Sequence, residues 1–266
     1  RSAAPDPEVL AALERRGEDH VGAAGAEQLF GQATEHLRRT PATLLLAAAL
    51  VVIFALQSAW ILRPPGAADL LRMGGMEAHG EWWRVLASGL VHAHGKHFFG
   101  NLSVMFVCYF TELAIGSSRY LVLFTASVVA SSLLAAAMSP VGTVIVGASG
   151  GIFGLAAALL VLTWREPRLL PGRHRTQLRR AFLWLLGLNL LLSLSPGVSL
   201  AGHLGGALMG AVLAGSGALT WGQPRAWMDE RPNPGVTWLV RGLAGACVLA
   251  SALSLALAWS HGRPWT

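Results

Sequence analysis

The 266-residue chain reads as an all-α, polytopic membrane protein, and three observations carry that reading. Hydrophobic residues make up 53% of the chain and charged residues 13%, against roughly 25% charged in soluble domains. Apolar stretches recur at the length that crosses a hydrocarbon core, about 20 residues rising ~1.5 Å each through ~30 Å. The remaining charges collect between those stretches, and all 20 basic residues except Lys96 are Arg. The net charge of +6 is therefore a topology signal and calls for no nucleic-acid partner.

Residues 1–40 are polar and mixed in charge, with "PEVLAALERRGED" and "AEQLFGQATEHLRR" each placing Leu, Val or Phe on one helical face. A short helical cytoplasmic appendage without chemistry is expected there. The chain opens on Arg1, as expected of a sequence that begins inside a longer product or after a removed segment, and no cleavable signal peptide is visible. Seven spans are expected: Thr43 to Leu62, His97 to Ile115, Tyr120 to Met138, Gly147 to Trp164, Ala181 to Leu194, Gly202 to Thr220 and Val236 to Trp259. The fifth is short for a full crossing. Between the first two, residues 63–96 are too polar to span, and Trp82 and Trp83 in "GEWWRV" suit an interfacial segment.

Arg38 and Arg39 precede the first span, and Arg165, Arg168, Arg173, Arg175, Arg179 and Arg180 accompany a single acid, Glu166, between the fourth and fifth. Retention of positive charge on the cytoplasmic side places both clusters inside, with the Trp-containing loop and the C-terminal tail outside. The second, fourth and sixth spans then all start at one depth, just below the outer face.

Polar residues retained in spans are costly and face the bundle interior. Three such groups mark these starts: His97 and Asn101 in "HFFGN", Ser149 in "GASG" and His203 in "AGHLGGALMG". Gly147 and Gly151, Gly150 and Gly154, and Gly202, Gly206 and Gly210 repeat at the four-residue spacing that lets helix backbones approach closely. Gly151 and Gly154 are expected to admit the sixth span, and Gly147 and Gly150 to leave room for a substrate backbone. A serine nucleophile needs a base within hydrogen-bond reach, and His203 fits that role. The unpaired N–H groups of a first helical turn favour an oxyanion beside Ser149 and disfavour a charged His203. His97 and Asn101, one turn apart, share a face and can donate to that oxyanion. Cys108 and Cys247 fall in apolar stretches and read as packing residues.

With those residues in place the chain resembles the rhomboid family of intramembrane serine proteases over roughly residues 43–220. The motifs are Trp83-Arg84 in the first outer loop, His97 and Asn101 as His-x-x-x-Asn, Gly147, Ser149 and Gly150 as Gly-x-Ser-Gly, and His203, Gly206 and Gly210 as His-x-x-Gly-x-x-x-Gly. The resemblance implies a six-helix core, residues 41–220, followed by an inner loop, a seventh helix and an outer tail, residues 221–266, in a six-plus-one plan. It implies a Ser149–His203 dyad without an acid, cleaving transmembrane segments of single-span or multi-span substrates near the outer face through an acyl-enzyme. Ser149 N–H, His97 and Asn101 would form the oxyanion hole, with no cofactor or metal. Trp83 and Arg84, supported by Glu81, would fix the outer loop in the interface. Phe153, where the family often has Tyr, would stack on the histidine, while Ala201-Gly202 removes a side chain before it.

Other readings make different demands. A catalytically silent relative that binds membrane clients, and a rhombosortase trimming C-terminal sorting tails, share the same helices. A metal-dependent hydrolase is raised by His92, His94 and His97, but Lys96 stands where the acid of that motif belongs and no clear downstream ligand set completes it. A transporter would want paired carboxylates at mid-membrane, whereas the spans offer Glu112 alone. The Ala, Leu and Arg bias points to a bacterial cell membrane.

Overall fold

The computed structural model describes residues 38–60, 65–166, 172–223 and 233–261. The expected appendage, Arg63, Arg168 and most of the outer tail lie outside them, as does the side chain of Arg173. Contacts divide the chain into units Arg1–Pro41 and Ala42–Thr266. Only residues 38–41 of the first are described.

The second unit is helical. Its helices are α1 (Pro41–Trp60), α2 (Ala67–Met73), α3 (Gly95–Val107), α4 (Tyr109–Ile115), α5 (Ser117–Met138), α6 (Ser149–Arg165), α7 (Gly172–Leu192), α8 (Leu200–Gly215) and α9 (Pro234–Ser260). Among the described residues four segments are long and apolar enough to cross a bilayer: Pro41–Ser58, Gly95–Ile115, Ser117–Met138 and Pro234–Ser260, with α6 and α8 shorter apolar helices. The protein is thus a multi-pass integral membrane protein.

Local chemistry sets several boundaries. Ser199 caps α8 by accepting from Gly202 N at 3.0 Å, and Asn233 caps α9 at Val236 N, followed by Pro234 in the first turn. His94 Nδ1 caps α3 by accepting from His97 N at 3.1 Å. The expected second span is interrupted at Cys108, where α3 ends and α4 begins. The expected short fifth span lies in α7, a 21-residue helix that continues back through Arg179 and Arg175 and is not among the four segments long and apolar enough to cross. Arg side chains carry their charge at the end of a long stem, so a basic stretch need not stop a helix. The expected sixth span closes earlier, at Gly215, where Ser216 and left-handed Gly217 turn the chain.

The outer loop carries structure that apolar periodicity does not reveal. Besides α2 and two 3-10 turns, Trp82–Val85 and Ala87–Gly89, it holds strand β1 (Met76–Glu77). This pairs antiparallel with β2 (Val144–Ile145), Met76 opposite Ile145 and Glu77 opposite Val144. Ala78 N donates to Thr143 O at 2.8 Å and Gly147 N to Ser88 O at 2.8 Å, so the approach to α6 is stitched to the loop on two sides.

The largest apolar core cluster gathers buried side chains of α1, α3, α4 and α5 around α6, and α8 meets α6 along a line of glycines. A Cβ on Gly206 would overlap the Gly150 carbonyl and one on Gly210 the Gly154 carbonyl, so α6 and α8 meet backbone to backbone. The expectation for Gly150 and Gly151 needs correction. Gly150 also backs onto Ser131 of α5 and Gly151 onto Phe124 of α5, so these two make room for the third span. Gly154 faces both Ser127 of α5 and the Gly206 carbonyl.

Glu112 is fully buried and binds four donors: Ala42 N at 2.8 Å, Thr43 N at 2.7 Å, Thr43 Oγ1 at 2.6 Å and Ser117 Oγ at 2.7 Å. Its carboxylate completes the start of α1, where Pro41 carries no N–H and those of Ala42 and Thr43 have no helical partner. Valine at Gly206 or Gly210 is expected to destabilise the detergent-solubilised protein by about 3 kcal/mol or more through overpacking. Alanine at Gly245, where a Cβ meets nothing within 4 Å, should shift stability by less than about 1 kcal/mol in the same thermal unfolding measurement.

Candidate active site

Ser149 is the first residue of α6, and Ala148 before it offers no side-chain cap. The first turn of α6 therefore has no side-chain cap from its N-cap residue, whereas N-cap side chains serve the first turns of α3, α8 and α9. His203 is in the first turn of α8, 9% exposed, and its Nε2 lies 2.9 Å from Ser149 Oγ. The Phe153 ring, one turn along α6 from Ser149, stacks on the imidazole with centroids 4.1 Å apart and planes at 13°. Between the two helices run the Gly150–Gly206 and Gly154–Gly210 contacts, which bring the two helix starts side by side.

Gly147 has two reasons to be glycine. Its φ of 119° lies in a region that side chains disfavour. A Cβ there would also lie 2.5 Å from His97 Cε1, 2.6 Å from His97 Nε2 and 3.6 Å from Asn101 Nδ2. The His97 and Asn101 nitrogens therefore converge on the backbone just before Ser149. Asn101 is buried, and its Nδ2 has no hydrogen-bond partner among the described residues. A buried donor left open costs free energy unless something accepts from it. An anionic oxygen beside Ser149 is such an acceptor. Among the spaces expected for a substrate backbone, that at Gly147 is filled by His97 and that at Gly150 by Ser131.

Arg84 turns inward. It is 5% exposed, donates from Nε to Glu81 at 2.6 Å and from Nη1 to Leu71 O at 2.6 Å, and stacks over Trp83. Its charge fastens one part of the loop to another. Trp82, 75% exposed, is the side chain that projects outward. The Trp83 carbonyl accepts from Ser254 Oγ of α9 at 2.7 Å, and that oxygen accepts from Ala87 N at 3.1 Å. Trp259 Nε1 donates to Met73 O at 2.9 Å. α9, the expected seventh span, was given no task from sequence and anchors the loop between α1 and α3.

The three histidines of "HAHGKH" have separate tasks. His94 caps α3, His97 points toward Gly147, and His92 is buried at 1% exposure among Phe54, Phe98 and His97. Among the described residues no three His, Cys, Asp or Glu side chains are grouped to hold a metal ion. Cys108 and Cys247 are free thiols. Sequence reasoning passed over Ser193, whose Oγ lies 2.5 Å from His203 Nδ1. It ends an apolar run in "LLSLSPG", and no spacing relates it to His203.

Comparison with known proteins bears on this arrangement. The Rhomboid domain model matches residues 79–218, more than half of the 266-residue chain. The chain belongs to the rhomboid family. Similar proteins include YdcA of Bacillus subtilis, 29% identical over 52% of this chain and 68% of its own length. The rhomboid protease AarA of Providencia stuartii is 30% identical over 51% of this chain and 56% of its own length. The rhomboid protease GluP of Bacillus subtilis is 31% identical over 56% of this chain and 28% of its own length. Family membership and these relatives together support an intramembrane serine protease, a hydrolase.

His92 gives this region a pH dependence. Burial, and secondarily the neighbouring His97, push its pKa down from 6.5 to about 3, while the Leu90 backbone acts weakly the other way. Among the described residues neither ring nitrogen meets a side-chain or backbone hydrogen-bond partner, and burial favours the neutral form. The unfolded chain takes up this proton near 6.5, so the contribution is complete above that pH and is lost as pH falls toward 3. The loss from this group amounts to about 2 kcal/mol at pH 5. Thermal unfolding of the purified protein should show it, and His92→Phe should flatten the decline between pH 7 and pH 5.

Proposed function

We propose that this rhomboid is an endopeptidase that cleaves transmembrane segments of single-span or multi-span membrane proteins near the outer face, with Ser149 as nucleophile and His203 as general base. The observation that carries the reading is the 2.9 Å approach of Ser149 Oγ to His203 Nε2 across two helix starts. Ser149 attacks the scissile carbonyl while its proton passes to Nε2. The oxyanion takes donors from Ser149 N–H, His97 and Asn101, all fixed before the charge develops. The protonated His203 then delivers its proton to the leaving amine, and water, activated by the same base, releases the acyl group.

In this reading the core is residues 41–220 in six helices, and residues 221–266 add the seventh, with residues 1–40 a separate appendage. The N-terminus lies in the cytoplasm of a bacterial cell and the C-terminus outside, since the Arg clusters flank the inner ends. The short length of α6 and α8 suits helices that begin below the membrane surface, so that water reaches Ser149 from the outer side only.

Incubation of the native chain with a panel of single-span substrates tests the proposal. Ser149→Ala and His203→Ala should each lower turnover by about 10⁴-fold or more with thermal unfolding retained. His97→Ala or Asn101→Ala should lower it about 10²-fold through loss of one oxyanion donor. Native protein that takes up no fluorophosphonate on Ser149 would sink the protease reading in favour of client binding. Cleavage confined to C-terminal sorting tails would mark a rhombosortase.

A further inference from the structure

An imidazole acts as a base toward Ser149 only if the nitrogen facing the hydroxyl carries the lone pair. His203 has a hydroxyl at each end of its ring: Ser149 Oγ at 2.9 Å from Nε2 and Ser193 Oγ at 2.5 Å from Nδ1. Ser193 follows the last turn of α7 and is 3% exposed. Its hydroxyl also donates to the Asn189 carbonyl, one turn back, at 2.6 Å.

A serine hydroxyl has one proton and two lone pairs. With that proton directed at Asn189, the oxygen meets Nδ1 as an acceptor. The ring proton then resides on Nδ1 and the lone pair on Nε2, aimed at Ser149. Phe153 holds the plane of the ring but offers no lone pair in that plane, so it leaves the tautomer open. We infer that Ser193 is a positioning residue that selects the Nδ1–H tautomer of His203 and holds its Nε2 in line with Ser149. This rests on the reading of Ser149 and His203 as nucleophile and base.

The task is the geometric one that a carboxylate performs in a Ser-His-Asp triad. A carboxylate buried beside these spans would carry a large desolvation cost, which a neutral hydroxyl avoids. The proton movements stay balanced. The Ser149 O–H bond breaks as its proton bonds to Nε2, the Nδ1–H proton remains shared with Ser193, and the Nε2 proton leaves with the amine. Because Ser193 directly follows α7 and His203 lies in α8, the base is set only when the end of α7 is seated against it.

Two measurements on the full-length purified chain test this. In ¹⁵N-histidine NMR spectra, the His203 signals, identified by their loss in His203→Ala, should report a single Nδ1–H tautomer. Ser193→Ala should turn this into a mixture of tautomers. The rate of fluorophosphonate labelling at Ser149 should fall about 10- to 100-fold in Ser193→Ala and Ser193→Val, with thermal unfolding unchanged. Ser193→Thr, which keeps the hydroxyl, should restore most of the native rate. For a cleaved single-span substrate kcat should fall while KM holds. A single Nδ1–H tautomer persisting in Ser193→Ala, or native labelling rates in both the Ala and Val variants, overturns the assignment. Absence of labelling in the native chain instead overturns the protease reading, and the tautomer spectra still decide what Ser193 does to His203.

Discussion

A side chain on Gly206 or Gly210 would occupy the space of a carbonyl on α6, and this exclusion sets the distance between the two helices that carry Ser149 and His203. The contacts recur one turn apart, Gly150 with Gly206 and Gly154 with Gly210, so they fix register as well as separation. Ser149 precedes the upper pair by one residue and His203 by three, which brings their side chains together at the shared end. Lipid gives helices no hydrophobic reason to associate, so close packing must supply the attraction. Glycine at these positions is therefore both the means of association and the alignment of the candidate dyad.

The same environment governs the polar groups away from the site. Without water in the bilayer core, each buried donor or acceptor must find a partner in the protein. Glu112 meets this by capping α1 and Ser117 at once, and Thr111 donates to Leu155 O at 3.1 Å between α4 and α6. Ser88 and Ser132 meet at 3.2 Å where the outer loop crosses α5. Among the described residues a few buried side-chain atoms meet no partner, Tyr120 Oη and Ser127 Oγ included, and of these Asn101 Nδ2 lies toward the backbone before Ser149.

The outer loop acts as a brace. Its β1 strand pairs with β2 just ahead of Gly147, its 3-10 turn receives Gly147 N, and its Trp83 and Met73 carbonyls are held by Ser254 and Trp259 of α9. The start of α6 is thereby held from the loop side, while α5 and α8 hold its body. Arg84, Glu81 and Leu71 tie the loop to itself. The position of the nucleophile thus depends on residues spread from Met73 to Trp259, most of which make no contact with it.

Much of the fold was legible because membrane spans announce themselves by length and apolarity, and loop arginines by their number. The candidate site was partly legible because Ser149, His203, His97 and Asn101 are polar residues at helix starts in an apolar setting. What the sequence by itself determined was residue type, the order of the helices and the placement of these groups near helix starts. Only tertiary structure decided that Gly150 and Gly151 serve α5, that Arg84 turns inward, that α9 braces the loop, and that Ser193 stands behind His203. The physical reason is that periodicity along one helix specifies which residues share a face, whereas the neighbour that face meets is set by packing among helices far apart in the chain.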